Sequence, residues 1–263
     1  MPELPEVQCV VNSLQRVVGK KISRVEVLAS RLREPFQVDL GERLQGRTVR
    51  SVRRYGKYLV FDLDQGCLVA HLGMTGKFLI DAQAGTHDRA VISFEDGTRL
   101  VYNDVRKFGF ILFEDDFRDN KYIKKLGIEP LGDDFSVNWL LPLALASRKN
   151  AKQFLLDQSI IAGLGNIYVI EVLYLCRISP LREMRDLSKG QLENLVHQIK
   201  TILLDSIQKG GSSISDYRDA DNQKGSFQDG FHVYGRKKDQ LGNDVVKITQ
   251  NGRSTYYCPN VQK

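Results

Sequence analysis

The chain has 263 residues, 42% hydrophobic and 27% charged, with 38 Lys and Arg against 32 Asp and Glu and a formal net charge of +6. That apolar content suffices for two cores of ordinary size and excludes disorder as the default, while the basic balance points to a polyanionic partner. No apolar run approaches about 18 residues and no basic flank precedes an apolar stretch at the N-terminus, so no membrane span or signal peptide is expected and the protein is assigned to the cytoplasm. The opening Met1-Pro2-Glu3-Leu4-Pro5-Glu6 leads into Val7, Val10, Val11, Leu14, Val17 and Val18 at steps of three and four, which predicts an amphipathic helix stopped by Gly19. Pro5 and the two acids suit a first helical turn. If Met1 is removed, Pro2 also presents a secondary α-amine, a class of group with pKa roughly 7.7 to 8.0 and hence a nucleophile near neutral pH.

From Lys21 to about Phe113 the pattern is β. Strands are predicted at Ile22 to Leu28, Thr48 to Arg53, Tyr58 to Leu63, Cys67 to Leu72, Lys77 to Asp81, Ala90 to Phe94, Arg99 to Asn103 and Gly109 to Phe113. Asp96-Gly97 marks a hairpin between two of them, and eight short strands suggest a sandwich or flattened barrel carrying the N-terminal helix. After Asp116 helices are predicted at Val137 to Ala146, Ala151 to Gln158, Ile167 to Leu175 and Ser188 to Lys209, the last with a core stripe of Leu192, Leu195, Val196, Ile199, Ile202, Leu203 and Ile207. Ser212 to Gly230 reads as a polar loop. The terminus returns to β at Val245 to Thr249 and Ser254 to Tyr257, around the turn pair Asn251-Gly252. Six Lys and Arg against two Asp between Phe231 and Lys263 concentrate positive charge there.

The four cysteines, Cys9, Cys67, Cys176 and Cys258, are widely spaced without a CxxC pair, so the sequence shows neither a disulfide framework nor a complete metal site. Gly163-Leu164-Gly165-Asn166 opens a helix and can offer backbone N–H groups and an amide to a phosphate, although as a motif it also suits a plain interhelical turn. Arg53-Arg54-Tyr55-Gly56-Lys57-Tyr58 and Asp104-Val105-Arg106-Lys107-Phe108-Gly109 interleave cations with aromatics. Such turns are often only solvated surface. They are equally what a protein needs to hold phosphates and fill a gap in a base stack.

Together these residues resemble the formamidopyrimidine-DNA glycosylase family of bacterial base-excision enzymes. The resemblance runs through PELPEV, RLREPF at 31–36, GKYLVF at 56–61, HLGMTG at 71–76, DVRKFG at 104–109, LGIEPLGDDF at 126–135, GLGNIY at 163–168 and VYGR at 233–236. It implies a glycosylase and AP lyase that excises 8-oxoguanine and formamidopyrimidines from duplex DNA. Pro2 would attack the sugar C1′, form a Schiff-base-type cation and drive β- and then δ-elimination. The resemblance further implies that Glu3 moves protons, Glu6 orients the amine, Lys57 binds phosphate and donates a proton in β-elimination, and Arg253 grips phosphates and serves the δ step. His71, His87, Arg106, Arg148, Lys152 and Asn166 are the implied DNA contacts. Met74, Arg106 and Phe108 would fill the space left by the flipped base, and Ser213, Ser215 and Tyr217 lie in a loop, 212–227, that would close over it.

The sequence departs from the family in its tail. Relatives usually hold zinc with two CxxC pairs, whereas Cys258-Pro259-Asn260-Val261 retains one ligand and the stretch 237–246 has no cysteine. One thiolate cannot hold structural zinc, so no zinc or other cofactor is expected, and Val245, Val246, Ile248, Tyr256 and Tyr257 should pack the hairpin instead. Arg89 also stands where many relatives have histidine. The expected architecture is α+β with two domains: a β-sandwich with an N-terminal helix at 1–116, a linker at 117–134, a helix-two-turns-helix domain at 135–230 and a zincless β-hairpin finger at 231–263. The expected partner is double-stranded DNA with oxidised bases or abasic sites, bound by a monomer at the bacterial nucleoid. A glycosylase for oxidised pyrimidines and a catalytically silent damage-binding protein are the alternative readings; Leu4 with the Met74, Arg106, Phe108 set opposes the first, and the Pro2, Glu3, Glu6, Lys57 set opposes the second.

Overall fold

The structure, a computed structural model, describes residues 1–213, 217–220 and 223–263. Among them the chain forms two compact units, Met1–Lys125 with Lys209–Gln228, and Leu126–Gln208 with Asp229–Lys263.

The first unit opens with helix α1, Leu4–Ser13, continued by a 3₁₀ turn over Leu14–Val17. Two four-stranded antiparallel sheets follow. One takes β1 (Ile22–Val27), β6 (Asp88–Phe94), β7 (Arg99–Asn103) and β5 (Lys77–Ile80) in that order; the other takes β2 (Val49–Tyr55), β3 (Tyr58–Leu63), β4 (Cys67–His71) and β8 (Phe110–Glu114). Strands β2 and β3 pair from Val49 opposite Leu63 to Tyr55 opposite Tyr58, with a register shift between Val49 and Ser51 that lets both Val49 and Val52 join Leu59 and Phe61 in the core. There they meet Phe78, Leu100 and Tyr102 of the other sheet, and Phe61 and Phe78 pack edge to face with centroids 5.4 Å apart. Val7, Val10, Val11 and Leu14 bury the apolar stripe of α1 in the same core. Strand β4 is buried along its whole length because its other face packs with Phe110, Ile123 and Tyr122. A short helix, α2 (Leu40–Leu44), carries only Leu40 and Leu44 inward, too brief a stripe to be read from periodicity.

Residues 209–228 join this unit although they follow a long helix of the other. Tyr217 and Ala220 enter the α1 core, the Ala220 carbonyl accepts from Ile80 N–H at 3.4 Å, and Glu6 Oε1 accepts from Ser212 N–H at 2.8 Å.

The second unit contains α3 (Val137–Leu145), α4 (Ala151–Leu155), α5 (Asn166–Leu175), α6 (Lys189–Gln208) and the hairpin β9 (Val246–Gln250) and β10 (Arg253–Tyr257). Helix α5 is buried nearly all round, so its sequence shows no amphipathic stripe. Helix α6 presents Leu192, Leu195, Ile199, Ile202 and Leu203 to the core and starts with a reciprocal Ser188–Gln191 box. Asn251 and Gly252, at φ of +50° and +71°, form the tight turn that their residue types favour between β9 and β10.

Candidate active site and nucleic-acid interface

The start of α1 is a capping box. The Glu3 side chain accepts from the Glu6 backbone, and Glu6 Oε2 accepts from Glu3 N–H at 2.8 Å. Glu3 and Glu6 are 6% and 2% exposed, so two carboxylates are held immobile beside Pro2, itself buried. Glu6 also accepts from Ser212 N–H, which makes it the tie between the helix start and segment 209–228. Cys9, one turn further on, is pushed up to about 11 by burial and is no nucleophile.

Met1 projects into a cavity of about 520 Å³ lined by Arg31, Arg33, His71, Met74, Arg106 and Phe108, among others. Lys57 sits in the two-residue turn between β2 and β3, 7% exposed, and Arg54 anchors that turn by donating to the Gly56 carbonyl at 2.9 Å and to Gln8 of α1 at 3.2 Å. His71 ends β4 against Phe110 and Tyr58. Its Nδ1 accepts from Gly73 N–H at 3.0 Å, so in the neutral ring the proton sits on Nε2. Burial, then the cations Lys57 and Arg33, lower its pKa to about 4, which keeps the ring a neutral donor at working pH.

Met74, Arg106 and Phe108 are exposed side chains on a rigid platform. Asp104, with no exposed surface, accepts from Thr75 Oγ1 at 2.6 Å, Arg106 N–H at 3.2 Å and Gly109 N–H at 2.9 Å. Gly73 lets the two turns touch: a Cβ there would lie 2.5 Å from the Phe108 carbonyl carbon. Phe108 is 45% exposed and the Arg106 guanidinium lies 4.7 Å from its ring centroid, an exposed ring and a cation side by side. His87 is exposed beside this platform; its carbonyl accepts from Asp104 N–H at 3.0 Å, and Arg89 bridges His87 Nδ1 and the Asp104 carbonyl. Arg89 thus braces the platform.

Of the three loop residues expected over a flipped base, Ser215 lies outside the described residues. Ser213 accepts from Gly225 N–H and donates to the Tyr217 carbonyl, closing the base of the loop. Tyr217 is 9% exposed, with its hydroxyl against Cys9 and burial raising its pKa. Its ring packs in the apolar cluster around α1.

In the second unit, Asn166 is the first residue of α5. Its Nδ2 donates to the Ser254 carbonyl at 3.0 Å, beside exposed Arg253. Lys152, expected as a DNA contact, is 1% exposed and donates to Thr255 Oγ1 at 2.6 Å and to the Ser254 carbonyl at 3.4 Å. Arg148 is exposed just before α4. The GLGN turn is clamped by Gln158, which accepts from Gly163 N–H and donates to the Leu164 carbonyl, in place of the helical position expected for it. Buried Glu171 accepts from the backbone N–H groups of His232, Val233 and Tyr234 and from His232 Nδ1, which accounts for the VYGR segment.

Three family models span nearly the whole chain: the formamidopyrimidine-DNA glycosylase N-terminal domain over residues 1–111, its H2TH domain over 126–218 and its C-terminal domain over 219–263. The chain belongs to the formamidopyrimidine-DNA glycosylase family. It is 42% identical over 283 residues to the formamidopyrimidine-DNA glycosylase of Ruegeria sp. (strain TM1040), covering 100% of both chains, and 38% identical over 266 residues to that of Wolbachia pipientis wMel, covering 98% of both. Among solved structures it resembles wild-type Lactococcus lactis Fpg in complex with N7-benzyl-Fapy-dG containing DNA (TM-score 0.90, 37% identity, 100% of both chains). The complex of the Lactococcus lactis Fpg with abasic-site DNA matches similarly (TM-score 0.89, 37% identity, 99% of both). No helix among the described residues is long and apolar enough to cross a membrane.

The finger residues do not fit the family's zinc. Cys258, raised to about 11 by burial and the nearby Asp239 carboxylate, remains a thiol that donates to Asp239 Oδ2 at 3.7 Å. Asp239 is itself filled by donors: Leu241 N–H, Asn243 N–H and side chain, and Tyr174 O–H. Burial raises its pKa, yet these hydrogen bonds win and hold it at about 2. Val233, Tyr234, Val245, Tyr256 and Val261 pack around Cys258. No group of three or more His, Cys, Asp or Glu suited to a metal occurs among the described residues.

Proposed function

We propose that this family member is a bifunctional DNA glycosylase and AP lyase that removes 8-oxoguanine and formamidopyrimidines from duplex DNA in base excision repair, acting on the nucleoid in the cytoplasm. The observation that carries the reading is the capping box that fixes Glu3 and Glu6 beside Pro2, next to Met1, which lines a cavity rimmed by cations and by Phe108.

Once Met1 is removed, the Pro2 nitrogen forms a bond to C1′ as the glycosidic bond breaks, its electron pair leaving with the base, which takes a proton. Loss of the N–H proton from the attached Pro2 nitrogen, then opening of the sugar ring with protonation of its oxygen, leaves an iminium ion on Pro2. Glu3 is the buried carboxyl placed to move these protons, and Glu6 holds the helix start in register. The iminium acidifies C2′–H. Loss of that proton breaks the C3′–O bond and releases the 3′ phosphate; a further proton loss breaks the C5′–O bond, and water then frees the amine. Lys57 and the Nε2–H of neutral His71 suit one phosphate, and Arg253 suits another and the δ step. Met74, Arg106 and Phe108 occupy the vacated stack, offsetting the few kcal/mol that extrusion of a base costs. The finger is held without zinc by the Asp239 and Cys258 hydrogen bonds.

Borohydride trapping on a duplex with 8-oxoguanine opposite cytosine tests the reading. An adduct lost with Pro2→Gly is expected; tight binding with no adduct would indicate a silent damage-binding protein.

A further inference from the structure

Lys152 stands out among the cations of the second unit. It is 1% exposed, and among the described residues no carboxylate pairs with it; its ammonium donates to Thr255 Oγ1 at 2.6 Å and the Ser254 carbonyl at 3.4 Å. Thr255 Oγ1 in turn donates to Gln250 Oε1 at 2.8 Å, across the hairpin. Asn166 Nδ2 reaches the same Ser254 carbonyl from α5, and Gln153 of α4 donates to Asn251 Oδ1 at 2.9 Å at the hairpin turn. Lys152 of α4 and Asn166 of α5 therefore meet on the Ser254 carbonyl next to Arg253, with Thr255 and Asn251 held by side-chain bonds on either side of it, while the Arg253 side chain stays exposed at a cavity of about 480 Å³ that Lys149 and Lys152 also line.

A buried ammonium without a counter-charge is costly, and here burial and then Arg253 lower its pKa to about 8. Such a cost is retained where the group does something a neutral residue cannot. With two donors committed to β10, Lys152 is poorly placed to reach a phosphate itself, but well placed to fix the strand from which Arg253 projects.

We infer that Lys152 is a positioning residue for Arg253: through Thr255 and the Ser254 carbonyl it pins the β9–β10 hairpin to α4, and so sets where the Arg253 guanidinium meets a DNA phosphate. This rests on the proposed role of Arg253 in phosphate binding and the δ step.

The test uses the full-length protein and a duplex with one abasic site, with the 3′-aldehyde end left by β-elimination and the 3′-phosphate end left by δ-elimination resolved by denaturing electrophoresis. Binding is measured from low to high salt in parallel. Arg253→Gln should cut the δ-to-β product ratio at least about tenfold and reduce the salt slope by about one. Lys152→Met should cut the ratio about tenfold and keep the wild-type salt slope, and Lys152→Met added to Arg253→Gln should change nothing further. Thr255→Val, which keeps the charge and removes the hydroxyl, should lower the ratio in the same direction and decides the matter if Lys152→Met does not fold. An unchanged ratio in both Lys152→Met and Thr255→Val, with the δ product lost in Arg253→Gln, overturns the inference alone. So does a Lys152→Met salt slope lower by about one in the Arg253→Gln background, since Lys152 would then be a phosphate ligand. An unchanged ratio in Arg253→Gln overturns instead the reading of Arg253 on which the inference stands.

Discussion

Asp104 gives the sharpest structural prediction, because the whole wedge platform hangs from one buried carboxylate. Its oxygens accept from Thr75 Oγ1, Arg106 N–H and Gly109 N–H, and it has no exposed surface. Hydrogen bonds to a charged group contribute about 1.5–3 kcal/mol each, and stripping the acceptor from a buried donor costs about 1–3 kcal/mol. These effects overlap, since Arg106 N–H has a second acceptor in Thr75 Oγ1 at 3.0 Å. Asp104→Ala should therefore destabilise the 104–109 turn by about 3 kcal/mol, which at 1.36 kcal/mol per tenfold is about a 100-fold loss of protection for the Gly109 amide in hydrogen exchange. The turn carries Arg106 and Phe108 but not the amine. Excision of 8-oxoguanine from duplex DNA should fall about 10- to 100-fold in kcat/KM, whereas borohydride trapping on single-stranded abasic DNA, where no stack needs filling, should stay within about twofold. Unchanged Gly109 exchange, or an equal fall on both substrates, would refute the reasoning.

The remaining predictions concern the histidine, the finger and the wedge. His71 has a folded-state pKa of about 4 against about 6.5 unfolded, so its contribution is complete above pH 6.5 and is lost as pH falls from there to 4. Urea unfolding should show a His71-dependent loss of about 2–3 kcal/mol between pH 7 and 4.5 that His71→Gln removes; an identical pH slope in the variant contradicts this. Purified protein should contain no stoichiometric zinc by elemental analysis, and EDTA should leave duplex affinity unchanged while Asp239→Asn lowers it about tenfold; loss of affinity in EDTA would count against the hydrogen-bonded finger. Phe108→Ala removes an exposed ring and should change stability by no more than about 0.5 kcal/mol while lowering excision from duplex DNA at least about tenfold. A large drop in Tm with activity intact would assign Phe108 to packing instead.

What the sequence disclosed and what it withheld divide along a physical line. Strands β3, β4 and β7 and helices α5 and α6 were legible because periodicity and turn residues are local signals, and Asn251-Gly252 named its own turn. Motifs in order along the chain disclosed the family. Asp104, Gln158, Glu171 and Asp239 were silent, because each acts by accepting hydrogen bonds from backbone that the fold brings to it, and an isolated acid or amide carries no mark of that duty. The burial of Tyr217 and Lys152 was hidden for the reverse reason: a tyrosine in a polar loop and a lysine in a basic cluster look exposed, and only the core around α1 and the underside of the hairpin show them buried. The capping box of α1 was ambiguous in sequence between helix start and active site. In the structure the hydrogen bonds that cap the helix also hold Glu3 and Glu6 beside Pro2, so a helix start and the proposed active site use the same contacts.

The central claim, that the amine of residue 2 is the nucleophile, is tested most directly by trapping the protein on 8-oxoguanine duplex with borohydride, digesting the complex and locating the sugar remnant by mass spectrometry. The account predicts a single modified peptide beginning at Pro2, with Met1 absent and the remnant on its nitrogen. A remnant on the ε-amine of Lys57 or any other lysine, or on a peptide that retains Met1, would contradict it.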